Sequence, residues 1–303
     1  MKLAALDLGS NSFHLLVVET DGSNRLSKLG SDKDVLRLGA VVQQYGRLSD
    51  DAYGKALDAV GRMASVAREL GAERLMAVGT SALRDARNGA MFCADCSADH
   101  GVHIELLSGD DEARLAYLGA QSALELTTGR VLVADVGGGS VELAVGEGTS
   151  CESVQSLQLG FLRLAHAFPL NEPGGVERLT RYVQLECEKA RWQLGRFDTL
   201  LLSGGTARAI GKLLGGGIAS ASTGQMQALC EELVRLPVDG LLRRGVEPVR
   251  APVLGAGAAV ISGLLAGLGL REVRVSPRGL REGVILRELA RRARPALARD
   301  RVA

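Results

Sequence analysis

The sequence predicts an α/β protein built from two related halves, each a mixed five-stranded sheet with helices. Three observations predict it. The stretch DLGSNS at Asp7–Ser12 recurs 128 residues later as DVGGGS at Asp135–Ser140. Each copy lies between apolar runs, LAAL and FHLLVVE in the first, VLVA and VELAVGE in the second, so each reads as strand, tight turn, strand. Beyond a third strand each half alternates helices with strands, and self-similarity over such a span marks duplicated units. The 303 residues, 46% of them hydrophobic, are enough for two domains with a core each.

In order, the first half predicts strands near 2–8, 12–19 and 25–30. A helix follows from Ser49, a candidate N-cap with acids in the first turn, to about Leu70. Strand 74–78 leads through Gly79-Thr80-Ser81 into a second helix. Strand 102–106 leads into a helix from Ser108 to about Leu126. The second half repeats the order, with strands near 131–136, 141–146 and 150–159, a helix over 175–194 and strand 198–203. Helices then start at Gly204 and near 224, a buried helix spans 253–268, strand 272–276 follows, and a last helix starts near Gly279. The Pro and Gly cluster at 169–175 and the segment 237–252 read as surface loops. The expected seam is Thr127-Thr128-Gly129. It divides the chain into domains at 1–126 and 127–303, with the end of the last helix, from about 288, packing back on the first.

Lys and Arg number 36 against 35 acids, which argues against a globally basic nucleic-acid binder. The last 33 residues are the exception, with ten Arg against four acids; they read as a solvated helix face or as a basic wall for a polyanion. Five Cys at irregular spacing, and no apolar leader after Met1-Lys2, fit a reducing cytoplasm. Cys93-Ala-Asp-Cys96 stands alone, without a second pair or a spaced His, and so is a weak metal or redox signal. Val253–Leu270 runs 18 residues without a charge, but its five glycines and the strand that follows favour a helix packed on the sheet over a membrane span.

The chemistry sits at turns. A lone Asp-x-Gly turn is most simply a hairpin. Two, each closing an apolar strand, point to phosphate and its metal. Small residues let backbone N–H groups approach an anion, and Asp is an oxygen ligand for a hard cation such as Mg²⁺. The candidates are Asp7, Ser10, Asn11 and Ser12 in the first copy, and Asp135, Gly137, Gly138, Gly139 and Ser140 in the second. Glu142 is a further candidate for metal or water. Arg84, one turn into the helix after Gly79, reads as a surface Arg or a phosphate ligand. Ser203-Gly204-Gly205-Thr206 opens another helix, whose N-terminus suits phosphate. In Ser108-Gly-Asp-Asp111-Glu112, acids suit a first helical turn, or else aim a carboxylate at a water. In sheets of this kind ligands collect at strand ends, so the cleft between two such domains is the expected site.

These residues resemble the exopolyphosphatase/guanosine pentaphosphate phosphatase family, within the actin-like ATPase superfamily. The matching stretches are DLGSNSFHLLVVE, AVGTSALRDARN, IELLSGDDEARLAY, VLVADVGGGSVELAVGE, LLSGGTARAIGKL and VRVSPRGLREGVIL, in family order over residues 3–288. The resemblance implies two ribonuclease-H-like domains and Mg²⁺- or Mn²⁺-dependent hydrolysis of a terminal phosphoanhydride. It implies Glu112 as the catalytic carboxylate, Asp135 and Asp7 at the metal, and Arg84 with the glycine turns on phosphate. The implied substrate is inorganic polyphosphate, with guanosine pentaphosphate as the alternative, and the implied assembly is a homodimer; cysteine usage, charge and patterning add the expectation of a cytoplasmic protein with neither nucleic acid nor membrane as partner. Asp111 replaces the usual first Glu of the acid pair, Pro252 stands at a commonly acidic position, and Pro277-Arg278 is an unusual pair. The chain looks like the short two-domain form, so short polyphosphates are the expected substrate. Phosphotransfer to an acceptor, and binding without turnover, are rival readings that phosphate release would decide.

Overall fold

The computed structural model describes residues 1–22, 25–124, 129–215 and 219–299. The chain runs through β1 (Lys2–Leu8), β2 (Phe13–Glu19), β3 (Ser27–Asp34), α1 (Leu38–Tyr45), α2 (Asp50–Glu69), β4 (Arg74–Gly79), α3 (Ser81–Asp85), α4 (Gly89–His100) and β5 (Ile104–Leu106). It continues with α5 (Gly109–Gln121), β6 (Val131–Val136), β7 (Val141–Glu147), β8 (Ser150–Leu157), α6 (Phe161–Ala167), α7 (Gly175–Leu194), β9 (Thr199–Ser203) and α8 (Gly204–Leu213). Then come β10 (Ala219–Ser222), α9 (Thr223–Arg235), α10 (Val238–Arg243), α11 (Ala251–Leu268), β11 (Glu272–Val275) and α12 (Leu280–Arg299).

Two compact units result. One holds Met1–Ser108 together with the helix from Leu280; the other holds Gly109–Gly279. The first sheet has the order β3-β2-β1-β4-β5, and the second β10-β11-β9-β6-β7-β8. Read from β8, the second repeats the first. Strands β1 and β6 pair antiparallel with β2 and β7, and parallel with β4 and β9. The expected fifth strand of the second half is β11. The structure adds β10, antiparallel at the edge, so this sheet has six strands rather than five. Its sequence, ASAS, is too short and too polar to read as a strand.

The two halves exchange their last helices. Helix α5 follows β5 but belongs to the second unit, where Ala113, Tyr117 and Ala120 pack on Val131, Val133, Ala144 and Leu201. Helix α12 follows β11 but packs on β1 of the first unit. There Arg287 clamps Glu105 through two hydrogen bonds, and buried Glu288 meets Arg74 and Arg292. The expected seam falls, apart from Gly129, outside the described residues.

Each sheet separates its side chains by parity, because alternate residues of a strand face opposite ways. In β6, Leu132, Ala134 and Val136 join the core that includes α7 and α11, while Val131 and Val133 face α5. In β1, Ala4, Leu6 and Leu8 join the core with α2 and α4. Helix α11 is long and apolar enough to cross a membrane, yet most of it is buried inside the second unit. Methyls added at Gly263 and Gly267 would come within 2.5 Å of backbone carbonyls of α7, which explains the glycines. One expected helix, after Gly79, is two. The Asn88 side chain bonds both backbone groups of Leu48 and holds the chain out of helix between α3 and α4.

Candidate active site

Parity places the acids. Asp135 has the parity of Val131 and Val133, so it lies on the α5 face of the second sheet. Glu142 has that of Ala144, and Ser203 that of Leu201. Asp135 pairs with Glu142 across β6 and β7, and with Ser203 across β6 and β9. All three therefore stand on one face, where β6 and β9 end and β7 begins. Helix α5 starts at the same end. A methyl at Gly109 would sit 2.6 Å from Ser156 Oγ, and that hydroxyl donates to Glu142 Oε1 at 2.9 Å. Three residues on, Glu112 is 7% exposed, whereas Asp111 points to solvent.

The second glycine turn is tied down from one side. The carbonyls of Gly137 and Gly138 accept from the N–H groups of Phe161 and Leu162, at the start of α6, at 3.2 and 2.9 Å. The Gly139 carbonyl accepts from Arg163 Nε at 3.1 Å. A trans peptide group points its C=O and N–H in opposite directions. The N–H groups of Gly138, Gly139 and Ser140 are therefore directed away from α6. Gly160 lies flat against the turn, where a methyl would fall 2.2 Å from the carbonyl carbon of Gly139.

A second donor group stands beside Asp135. Ser203 is the N-cap of α8 but makes no side-chain cap; its hydroxyl donates to the Arg278 carbonyl. Gly204 is left-handed at φ 93°, and a methyl there would lie 2.7 Å from Asp135 Oδ1. The side chain of Thr206 turns inward against Gly257 of α11, so only its backbone is available at the helix start. Arg278, which the charge count singled out, is used internally, donating to Ser122.

The first unit carries the other half of the expected set. Asp7 pairs with His14, and His14 Nε2 lies 2.8 Å from Ser12 Oγ. The carbonyls of Ser10 and Asn11 accept from the N–H groups of Gly39 and Arg37 at the start of α1, at 2.8 and 2.9 Å. This directs the N–H groups of Asn11 and Ser12 away from α1, as in the second turn. Arg84 Nη1 donates to the Leu107 carbonyl at 2.6 Å.

Sequence reasoning missed Arg250. It is 8% exposed, and a methyl at Gly205 would touch its guanidinium at 2.7 Å, so the charge lies over the start of α8. Burial pulls its pKa down, opposed by the nearby charge of Glu247. No local pattern marks it, because α8 and α11 meet only in the fold. Ser156, Gly160 and Arg163 were missed for the same reason. A cavity of about 700 Å³ between Trp192 and Asp198, beside the start of β9, contains none of the site residues.

Whether a divalent cation fits is decided by the second unit. Asp135 and Glu142 are direct cross-strand partners, and like charges so placed repel unless a cation joins them. Both are hard oxygen donors. Among the described residues no cluster of three or more His, Cys, Asp or Glu forms a closed metal site. A pair of carboxylates completed by water and phosphate oxygens is the Mg²⁺ pattern. The five cysteines are free, and burial raises Cys96 to about 12, which fits a structural thiol.

Known proteins resemble the chain in sequence and in fold. The sequence profile of the Ppx/GppA phosphatase family matches residues 16–292. Exopolyphosphatase 1 of Mycobacterium tuberculosis is 31% identical, over 95% of this chain and 88% of that protein. The guanosine-5'-triphosphate,3'-diphosphate pyrophosphatase of Vibrio cholerae is 30% identical, over 93% of this chain and 58% of that protein. The crystal structure of the Aquifex aeolicus Ppx/GppA family member superposes with a TM-score of 0.81 at 28% identity, covering 96% of this chain and 98% of that one. With the profile spanning nine-tenths of its length, the chain belongs to the Ppx/GppA phosphatase family.

Proposed function

We propose that this phosphatase is an exopolyphosphatase, releasing the terminal phosphate of inorganic polyphosphate. One observation carries the reading. A carbonyl-tied glycine turn and an opposed Asp135–Glu142 pair stand at one end of one sheet face, where α5, with its buried Glu112, begins. The M. tuberculosis relative supports the substrate. The repeated strand order, with the first three strands antiparallel and the next two parallel, supports the ribonuclease-H-like reading of each unit.

Family membership implies a divalent-metal-dependent reaction, and in the second unit Asp135 and Glu142 are the residues that would hold the cation. A bound Mg²⁺ or Mn²⁺ supplies charge neutralisation of the phosphate oxygens. The N–H groups of Gly138, Gly139, Ser140 and the start of α8 bind phosphate oxygens, with Arg250 adding charge. In the first unit, Arg84 and the N–H groups of Asn11 and Ser12 are candidates for binding phosphate as well. Glu112 orients a water and takes its proton as the water oxygen bonds to the terminal phosphorus. The anhydride P–O bond breaks, orthophosphate leaves, and the chain is one unit shorter.

A second reading, hydrolysis of guanosine pentaphosphate, draws on the V. cholerae relative. One assay separates the two: tripolyphosphate, long polyphosphate and guanosine pentaphosphate, each with and without Mg²⁺, followed by free phosphate. Metal-dependent release from polyphosphate is expected, and the two chain lengths test the expected preference for short ones. Silence on every substrate would remove the enzyme reading. The resemblance also favours a homodimer, for which light scattering would give twice 31.8 kDa.

A further inference from the structure

The turns of the two halves solve one problem in two ways. In each, the carbonyl two residues after the first glycine must be held back if the next N–H is to point outward. In the first turn that carbonyl belongs to Asn11, and the Arg37 backbone N–H holds it at 2.9 Å. Arg37 adopts φ 52° to do so, the one left-handed residue other than glycine among the described residues. In the second turn the equivalent carbonyl belongs to Gly139. The backbone of α6 satisfies Gly137 and Gly138 but not Gly139, which accepts from the Arg163 side chain instead.

We propose that Arg163 is a positioning residue for phosphate capture: its guanidinium holds the Gly139 carbonyl and so aims the Ser140 N–H at the bound phosphate. The proposal rests on the phosphate reading of this turn. Three glycines in a row leave the backbone free to rotate, and a flipped 139–140 peptide would present a carbonyl to the anion instead of a donor. A guanidinium on the far side of the peptide blocks that flip. It also polarises the group, so the N–H becomes a better donor. A solvated surface Arg does neither.

The test measures binding without turnover. In a Glu112→Gln background, calorimetry with tripolyphosphate compares Arg163 with Arg163→Met and Arg163→Lys. Arg163→Met should weaken Kd about tenfold, the worth of one well-aimed hydrogen bond to a charged group. In the Glu112 enzyme, KM should rise by a similar factor while kcat changes little. Lys keeps the charge without the fixed fork, so it should restore only part of the affinity. The Ser140 amide proton of the unaltered chain should move downfield as tripolyphosphate is added, a signature that needs no variant to fold. A Kd within twofold of the parent in a folded Arg163→Met protein, or a Ser140 amide that does not respond to bound tripolyphosphate, overturns the proposal. If the parent does not bind tripolyphosphate at all, the phosphate reading of the turn fails first.

Discussion

Two adjacent acids illustrate what position does to a carboxylate. Asp111 and Glu112 share the first turn of α5, yet one is exposed and the other is buried. Glu112→Gln keeps the shape and removes the base. Its kcat should fall by about 10²–10⁴, the usual worth of general-base help, with KM nearly unchanged. Asp111→Asn should cost far less, and a Glu112→Gln enzyme retaining more than a tenth of kcat would assign the proton to another group. Arg250 makes a different case. Its guanidinium is buried, with no ion pair or hydrogen bond among the described residues, so the fold bears its desolvation. Arg250→Met should leave the melting temperature unchanged or higher while raising KM for polyphosphate. A lower melting temperature with an unchanged KM would make the residue structural.

Elements set how the cradle is held. Helix α6 has seven residues and little independent stability, yet its first N–H groups and Arg163 hold three successive carbonyls of the glycine turn. That contact requires glycine at 160. Gly160→Ala should displace the turn and remove most activity, while the cores of both units stay intact by circular dichroism. An active Gly160→Ala enzyme would show that the cradle tolerates movement. Helices α4, α7 and α9 bury Cys96, Cys187 and Cys230, each raised to about 12 by burial. These thiols should resist a disulfide reagent at pH 8 in the folded protein and react on unfolding. Because burial favours the protonated form, their stabilising effect is complete below about pH 9, the unfolded thiol range, and is lost as pH rises toward 12.

At the scale of the whole molecule, the exchange of helices makes each unit depend on a distant stretch of sequence. Helix α12 buries Val284, Ile285, Leu286 and Leu289. At about 1.5–3 kcal/mol per buried side chain, this matches the typical 5–15 kcal/mol net stability of a domain. A chain ending at residue 279 should therefore lose cooperative unfolding of its first unit, and calorimetry showing two intact transitions would refute this. A recurrence in spacing accompanies the exchange. Both exchanged helices begin beside a glycine and bury a Glu three residues on: Gly109 with Glu112, and Gly279 with Glu282.

By itself the sequence determined the duplication, most strands, the two Asp turns and the acidic start of α5; Glu112 as the catalytic acid came from the resemblance. These are local signals: period-two apolar runs, small residues at tight turns, and acids at a helix start. It did not show α1, β10, the break between α3 and α4, or α10, which forms inside the segment 237–252 expected to be a loop; short or polar segments take their form from neighbours. Nor did it show Ser156, Gly160, Arg163 and Arg250, whose roles depend on partners far along the chain: Glu142, the glycine turn and Gly205. Which unit α5 joins was also a tertiary decision, as was the placing of α12 from Leu280, and not only its end, with the first unit. Both follow a strand of one half, and an amphipathic helix is equally content on any apolar sheet face of the right shape. The choice belongs to the faces that the other helices leave uncovered, and that is a property of the folded chain.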